Sequence, residues 1–255
     1  MFSTFFNRAP LIDQDSKEWI LATSAWAITH FNSDWFYQHT QLVLPDNNFY
    51  PGRVNSAQQM ADTMFNHTLK YAGMENWPIK LAHINQVNYL QPSNLLVNHE
   101  LRGENALVEM QPAGSFVQLG YFEQQLNQPQ DLIAILVQQL ATLLINHQTV
   151  LPPGGKDCLA PAVEVLAAMM GFGVIFANTA YQFRGGCGSC NNASLNRKSS
   201  LPENEVLYCV AVFATLKNIS IKQITPQLKK HLRSPFKQMM KTLPQELENS
   251  VDLFN

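Results

Sequence analysis

The stretch "AVEVLAAMMGFGVIFANTA" at positions 162–180 constrains the fold more strongly than any other part of this 255-residue chain. Its uninterrupted apolar run, from Val165 to Ala177, is 13 residues long, whereas a helix that spans a membrane needs about 20. Glu164 and Asn178 border the run. We therefore expect a helix buried in a globular core, and no membrane span.

Composition and charge narrow the possible partners. The net charge of -2 gives no electrostatic attraction for nucleic acid or for an anionic membrane. One basic segment, "KKHLRSPFKQMMK" at 229–241, contains Leu232, Phe236 and Met239 at helical spacing. This pattern favours an amphipathic helical tail whose basic residues form its solvent-exposed side over a nucleic-acid-binding arm. The N-terminal sequence lacks a basic segment followed by a long apolar one, so we expect no signal peptide and a cytoplasmic protein.

The hydrophobic periodicity changes twice along the chain and predicts an α+β fold. Helical spacing precedes residue 75, with Asp15 or Ser16 as the first N-cap. Four short, partly alternating runs follow and predict a small antiparallel sheet of three or four strands: "PIKLAHINQV", "NLLVNHEL", "ALVEMQ" and "SFVQLGYF". Helical patterns then return. We expect a helical N-terminal lobe (1–75), an α+β core (76–217) and a helical C-terminal tail (218–255), together forming one compact unit.

The core contains a resemblance to a known family. "YFEQQLNQPQDLIAILVQQLATLLI", followed by "PAVEVLAAMMGFGVIFANTA", resembles a bacterial family of small, largely uncharacterised gluzincin-like proteins. In that family a strand and a Pro-containing turn lead into a HELAH-type helix. A second helix carries an acidic third zinc ligand seven residues before a glycine in a Gly-aromatic-Gly setting. The likeness covers about residues 117–217, and it implies a zincin-like core whose small sheet packs on the pseudo-HExxH helix, with a buried third-ligand helix.

The same resemblance assigns roles that this chain does not retain. It places Gln138 at the first zinc-binding histidine, Gln139 at the catalytic glutamate and Thr142 at the second histidine. Glu164, seven residues before Gly171, keeps a ligand's chemistry. A carboxamide is a weak zinc ligand that cannot take a proton from water, and one carboxylate cannot hold a tetrahedral zinc site. The resemblance therefore implies a pseudoenzyme with no catalytic residue, whose groove binds a peptide or protein partner by strand addition.

A simpler interpretation of the same residues stays open. Gln138, Gln139 and Thr142 are then ordinary polar positions on a helix, and Glu164 is a buried acid. A buried carboxylate needs a partner because leaving it unpaired is costly. The side-chain amide of Gln138 or Gln139 would supply one.

A second candidate for chemistry is the CxxC pair Cys187 and Cys190 in "GGCGSC". It could be a packed, reduced loop, a redox pair, or half of a zinc site that recruits Cys158, Cys209 or a histidine such as His147. The corresponding functional hypothesis is an enzyme or metal-binding protein centred on Cys187 and Cys190, with zinc as its possible cofactor. A third hypothesis is a structural protein that forms an oligomer through helix 162–180 or through the basic tail.

The remaining polar residues give weaker signals. Glu100, Glu104 and Glu109 alternate with apolar residues and are expected on solvated strand faces, and the histidines are dispersed along the chain. "FYPGR" at 49–53 is an aromatic-Pro-Gly-Arg turn that could order a groove. None of these residues forms a recognisable catalytic motif.

Overall fold

The protein is α+β and mostly helical. A computed structural model describes residues 10–87, 94–97, 100–106, 108–111, 115–180 and 197–254. The helices are α1 (Gln14–His30), α2 (Ser33–Gln38), α3 (Ala57–Ala72), α4 (Pro129–Asn146), α5 (Leu159–Ala167), α6 (Gly173–Asn178), α7 (Glu203–Leu216), α8 (Ile221–Ile224) and α9 (Arg233–Glu248). The strands are β1 (Ile79–His83), β2 (Asn94–Val97), β3 (Val108–Gln111) and β4 (Val117–Tyr121).

The helix ends follow local sequence signals. Asp13 caps α1 by accepting a hydrogen bond from the backbone of Ser16 at 2.8 Å, so the predicted cap at Asp15 or Ser16 is wrong by a few residues. Ser56 caps α3, and Gly73 ends that helix in the left-handed conformation (φ 71°) that glycine adopts without strain. Pro129 is the first residue of α4, where its missing N–H carries no penalty.

The sheet differs from the expected single antiparallel one. β1 and β4 pair in parallel, with Ile79 opposite Val117 and His83 opposite Tyr121, while β2 and β3 form a separate antiparallel ladder. Parallel neighbours need a long crossover connection, and the segment that contains β2 and β3 supplies it here. The short alternating runs reveal the strands, but they carry no information about direction.

The central apolar helix is interrupted by a glycine kink. A π-type turn, Ala168–Phe172, joins α5 to α6, and Gly171 inside it has a φ of 96°. A Cβ at this position would overlap the carbonyl oxygen of Gln41, while the Gly171 carbonyl accepts a hydrogen bond from Val43 at 2.9 Å. Gly171 therefore does more than allow close packing, because its conformation docks residues 40–43 onto the kink.

Most of that central helix is buried in the hydrophobic core. Within the described part of the chain, Gly155–Asn178, which includes α5, the π-type turn and α6, is the one helical stretch long and apolar enough to cross a membrane. Of its most apolar 18 residues, 83% are buried inside the protein. α1 and α7 pack against it, so the hydrophobic core includes residues from the N-terminal segment as well. α9 packs on α7 through Phe236, Met239 and Leu243, which confirms the amphipathic tail.

Candidate functional site

The polar residues of α4 point in two different directions. Gln139 faces β4, where its side-chain oxygen accepts from the N–H of Gly120 (3.2 Å) and its amide donates to the C=O of Gly120 (3.1 Å). Gln138 turns away and donates to the carbonyl of Lys198 at 3.1 Å. The hydroxyl of Thr142 donates back to the carbonyl of Gln138 at 2.7 Å. Gln139 therefore mimics a strand partner at the outer edge of β4, apart from the other two residues.

Glu164 is fully buried and is paired with a cation. Its side chain has no solvent exposure, and its Oε1 lies 2.8 Å from Nη1 of Arg197, whose side chain is equally buried. The N–H of Ser200 donates to the same oxygen at 2.5 Å, and the hydroxyl of Ser199 donates to Oε2 at 3.4 Å. The expectation that Gln138 or Gln139 partners Glu164 is wrong, because both amides are bonded to backbone groups elsewhere.

Arg197 ties Glu164 to helix α6. Its Nη2 donates to the carbonyl of Phe176 at 3.0 Å, its Nε donates to Thr179 Oγ1 at 3.3 Å, and its guanidinium lies 4.3 Å from the centre of the Phe176 ring. Nη1 faces Glu164 as an ion pair without forming a well-aligned hydrogen bond. Burial lowers the pKa of Arg197, and the nearby Glu164 carboxylate opposes that shift. The guanidinium is thus held by charge and geometry together.

The 197–200 segment brings three of the four vestigial positions into one region. The carbonyl of Lys198 accepts from Gln138, and its neighbours Arg197 and Ser199 both contact Glu164. Gln138 also lines a cleft of about 320 Å³, together with Thr142 and Val163 among other residues. These are the places where the resemblance expects two ligands and the helix of the third. The groups present are a carboxamide, a hydroxyl and a carboxylate already bound to a cation, so their chemistry is hydrogen bonding.

A further carboxylate lies close to the buried pair. Asp131, in the first turn of α4, is 5% exposed, and its Oδ1 has no hydrogen-bond partner among the described residues. Burial raises the pKa of Asp131, whereas the positive charges of Lys229 and Arg197 lower it to a smaller extent. The field of Arg197 therefore acts on two carboxylates.

The second candidate for chemistry is the cysteine pair. Cys187 and Cys190 lie outside the described residues. Of the other two cysteines, Cys158 is half-buried, and Cys209 is fully buried, which raises the pKa of its thiol well above the ordinary value. Over residues 10–87, 115–180 and 197–254 and the short strands between them, no group of three or more His, Cys, Asp or Glu side chains is placed to hold a metal ion.

The sequence did not predict that two arginines are buried. Arg197 lies in a polar loop, and Arg102 lies in the turn-like "RGEN", so both positions suggest solvent exposure. Arg102 is 1% exposed and donates from Nε to the carbonyl of Ala72 at 2.7 Å. Burial lowers the pKa of Arg102 to about 9. The only signal in the sequence for Arg197 is indirect, since a buried Glu164 must have some partner.

Comparison of this chain with known protein families, with curated proteins and with solved structures found no match. The functional interpretation therefore depends on the residues and on their arrangement.

Proposed function

We propose that this protein is a catalytically inactive, metallopeptidase-like scaffold of the cytoplasm that binds an extended peptide or a segment of a protein partner. The observation that carries the proposal is the Glu164–Arg197 ion pair, in which the one surviving ligand-type residue is bound to an internal cation. A guanidinium fixed at 2.8 Å from this carboxylate repels a divalent cation that approaches the same oxygens. Arg197 thus takes the charge-balancing role that zinc has in the family the sequence resembles.

The chemistry of the remaining positions agrees with loss of hydrolysis. Peptide hydrolysis by a zinc site needs a general base beside the metal-bound water. Gln139 has no ionisable group, and both ends of its carboxamide are bonded to Gly120. A glutamine at this position stabilises the sheet, because it satisfies the backbone N–H and C=O of Gly120 on the side of β4 that faces away from β1.

The edge of β1 that faces away from β4, which pairs with no other strand among the described residues, provides a place for an extended peptide. The N–H of Val117 donates to the carbonyl of Pro78, and backbone groups that face the partner alternate along a parallel ladder. Lys80 and Ala82 therefore direct their backbone groups toward β4, and Leu81 directs its own away from it. Within the described residues, the outward N–H and C=O of Leu81 have no hydrogen-bond partner. An added strand would satisfy them.

The proposal is tested by comparing Leu81→Pro with Leu81→Ala. Both variants lose the leucine side chain, but only proline removes the outward N–H, and the inward ladder to β4 is left intact in both. Peptides are first selected from a random 12-residue phage-display library on the wild-type protein, and their affinities are then measured by fluorescence anisotropy.

We expect the selected peptides to bind the Leu81→Ala variant within about threefold of the wild type. The Leu81→Pro variant should bind at least about tenfold more weakly, since one lost hydrogen bond and the bulk of the ring act together. Equal affinities for the two variants, or no enriched peptide at all, would show that β1 is not the binding edge.

A further inference from the structure

A second cleft, of about 770 Å³, is lined mostly by acidic and polar residues. We refer to it as the acidic cleft, and we define it by Glu100, Glu104, His30, His147 and Gln148. Its volume lies within the range of about 300–1,000 Å³ that is typical of ligand sites. No lysine or arginine of the described chain lines it.

Two helix C-termini add negative charge to the floor of the acidic cleft. His30 is the last residue of α1, and His147 is the C-cap of α4. The side-chain amide of Gln148 donates to the carbonyl of His30 at 3.0 Å and so ties the two helix ends together. The carbonyl end of each helix carries roughly half a negative charge. The floor therefore reinforces the field of the two glutamates.

The loop that carries the two glutamates is held rigidly. Trp77 Nε1 donates to the carbonyl of Leu101 at 2.9 Å, and Asn76 donates from its amide to the carbonyl of Glu104 at 3.1 Å. The Nε of Arg102 is anchored on the end of α3, and the N–H of Gly103 donates to the carbonyl of Gly73 at 2.8 Å. Both glutamates are exposed to solvent, and these hydrogen bonds hold the backbone from Leu101 to Glu104. A site built in this way loses little conformational entropy when it binds a ligand.

Asn76 and Trp77, which directly precede the beginning of the β1 region, both donate hydrogen bonds to the loop that lines the acidic cleft. Trp77 lies two positions before β1, its ring packs edge-on against His147 at 5.8 Å, and its indole N–H bonds to Leu101 in the lining. A peptide strand that pairs with β1 and extends past Ile79 toward Trp77 would therefore approach the acidic cleft. Its next side chain would enter a field set by Glu100, Glu104 and two helix ends.

We propose that the acidic cleft binds a lysine or arginine side chain of the peptide that pairs with β1, so that the partner is an extended segment flanked by a basic residue. This inference rests on the proposed function, because it names the chemistry of the partner at the same edge. A basic side chain would complement the carboxylates and the helix carbonyls in one place. The partner's backbone would supply affinity, and its basic residue would set the register.

The test uses selected 12-residue peptides in pairs, one with its basic residue and one with methionine in that place. Affinities are measured by anisotropy at about 150 mM salt for the wild type and for Glu100→Gln/Glu104→Gln, which keeps side-chain shape and removes the charge. The matched control, Glu109→Gln/Glu248→Gln, removes the same charge from two exposed glutamates outside the acidic cleft.

We expect the wild type and the control to prefer the basic peptide by at least about fivefold, and the Glu100→Gln/Glu104→Gln variant to lose most of that preference. Enriched peptides without a basic residue would overturn this inference and leave binding at β1 standing. The same holds for a preference that survives in the Glu100→Gln/Glu104→Gln variant. If no peptide is enriched, both the inference and the proposed function fail.

Discussion

Replacing Arg197 by methionine tests whether the buried ion pair is a central element of this fold. The change removes the contact with Glu164, the hydrogen bonds to Phe176 and Thr179, and the stacking on the Phe176 ring. Breaking one side of a buried pair typically costs about 3–5 kcal/mol, because the other charge stays buried. At about 2–4 °C per kcal/mol for a chain of this size, Arg197→Met should lower the Tm by roughly 6–20 °C.

A double-mutant cycle with Glu164→Gln separates the charge interaction from simple loss of packing. Glutamine can still accept the hydrogen bond from Ser200, so Arg197→Met/Glu164→Gln leaves no buried charge at this place. We expect the double variant to be more stable than the sum of the single effects predicts, by about 1–3 kcal/mol in urea unfolding. Lys17→Met breaks a partly exposed pair, Lys17–Glu246 at 2.6 Å, and should cost less than about 1 kcal/mol. Additive effects, or a cost for Arg197→Met no larger than that of Lys17→Met, would refute the reasoning.

Three further predictions concern particular residues. Gly171→Ala should destabilise the protein by more than about 2 kcal/mol in urea unfolding, because a Cβ would overlap the Gln41 carbonyl and φ is 96°. Burial raises the pKa of Asp131, so the folded state binds more protons than the unfolded one, and the ionised carboxylate destabilises the folded state as the pH rises. The Tm of Asp131→Asn relative to the wild type should therefore be higher at about pH 7 than at about pH 3.5. A difference in Tm that does not change with pH would contradict this. Cys158 should react with iodoacetamide in the native protein, whereas Cys209 should react only after unfolding, as peptide mapping by mass spectrometry would show.

The parts of the fold governed by local chemistry are predictable from the sequence. The N-cap at Ser56, the left-handed Gly73 and Pro129 at the start of α4 each depend on a few neighbouring residues. The same holds for shielding of the central helix from water, because so apolar a run is unfavourable on a solvent-exposed surface. The direction of β1 relative to β4 was not predictable in this way, since it depends on the path of the chain between them.

The polar contacts of the candidate site depend on distant parts of the chain. The sequence indicates that Glu164 is buried and needs a partner, but Arg197 is 33 positions away in a loop that looks solvated. Gln139 looks like an isolated polar residue on α4 until β4 is placed against it. Similarly, Gly171 suggests close packing in the sequence, and only the position of residues 40–43 explains its positive φ.

The most direct test of the account is the zinc content of purified, reduced protein, measured by elemental mass spectrometry after incubation with zinc and desalting. The wild type is compared with Cys187→Ser/Cys190→Ser and with Glu164→Gln. The account predicts that no stoichiometric zinc depends on Glu164, so any zinc that the wild type holds should disappear in the cysteine variant. One zinc per chain that survives in the cysteine variant and is lost in Glu164→Gln would contradict it, because α4 and α5 would then still form a metal site.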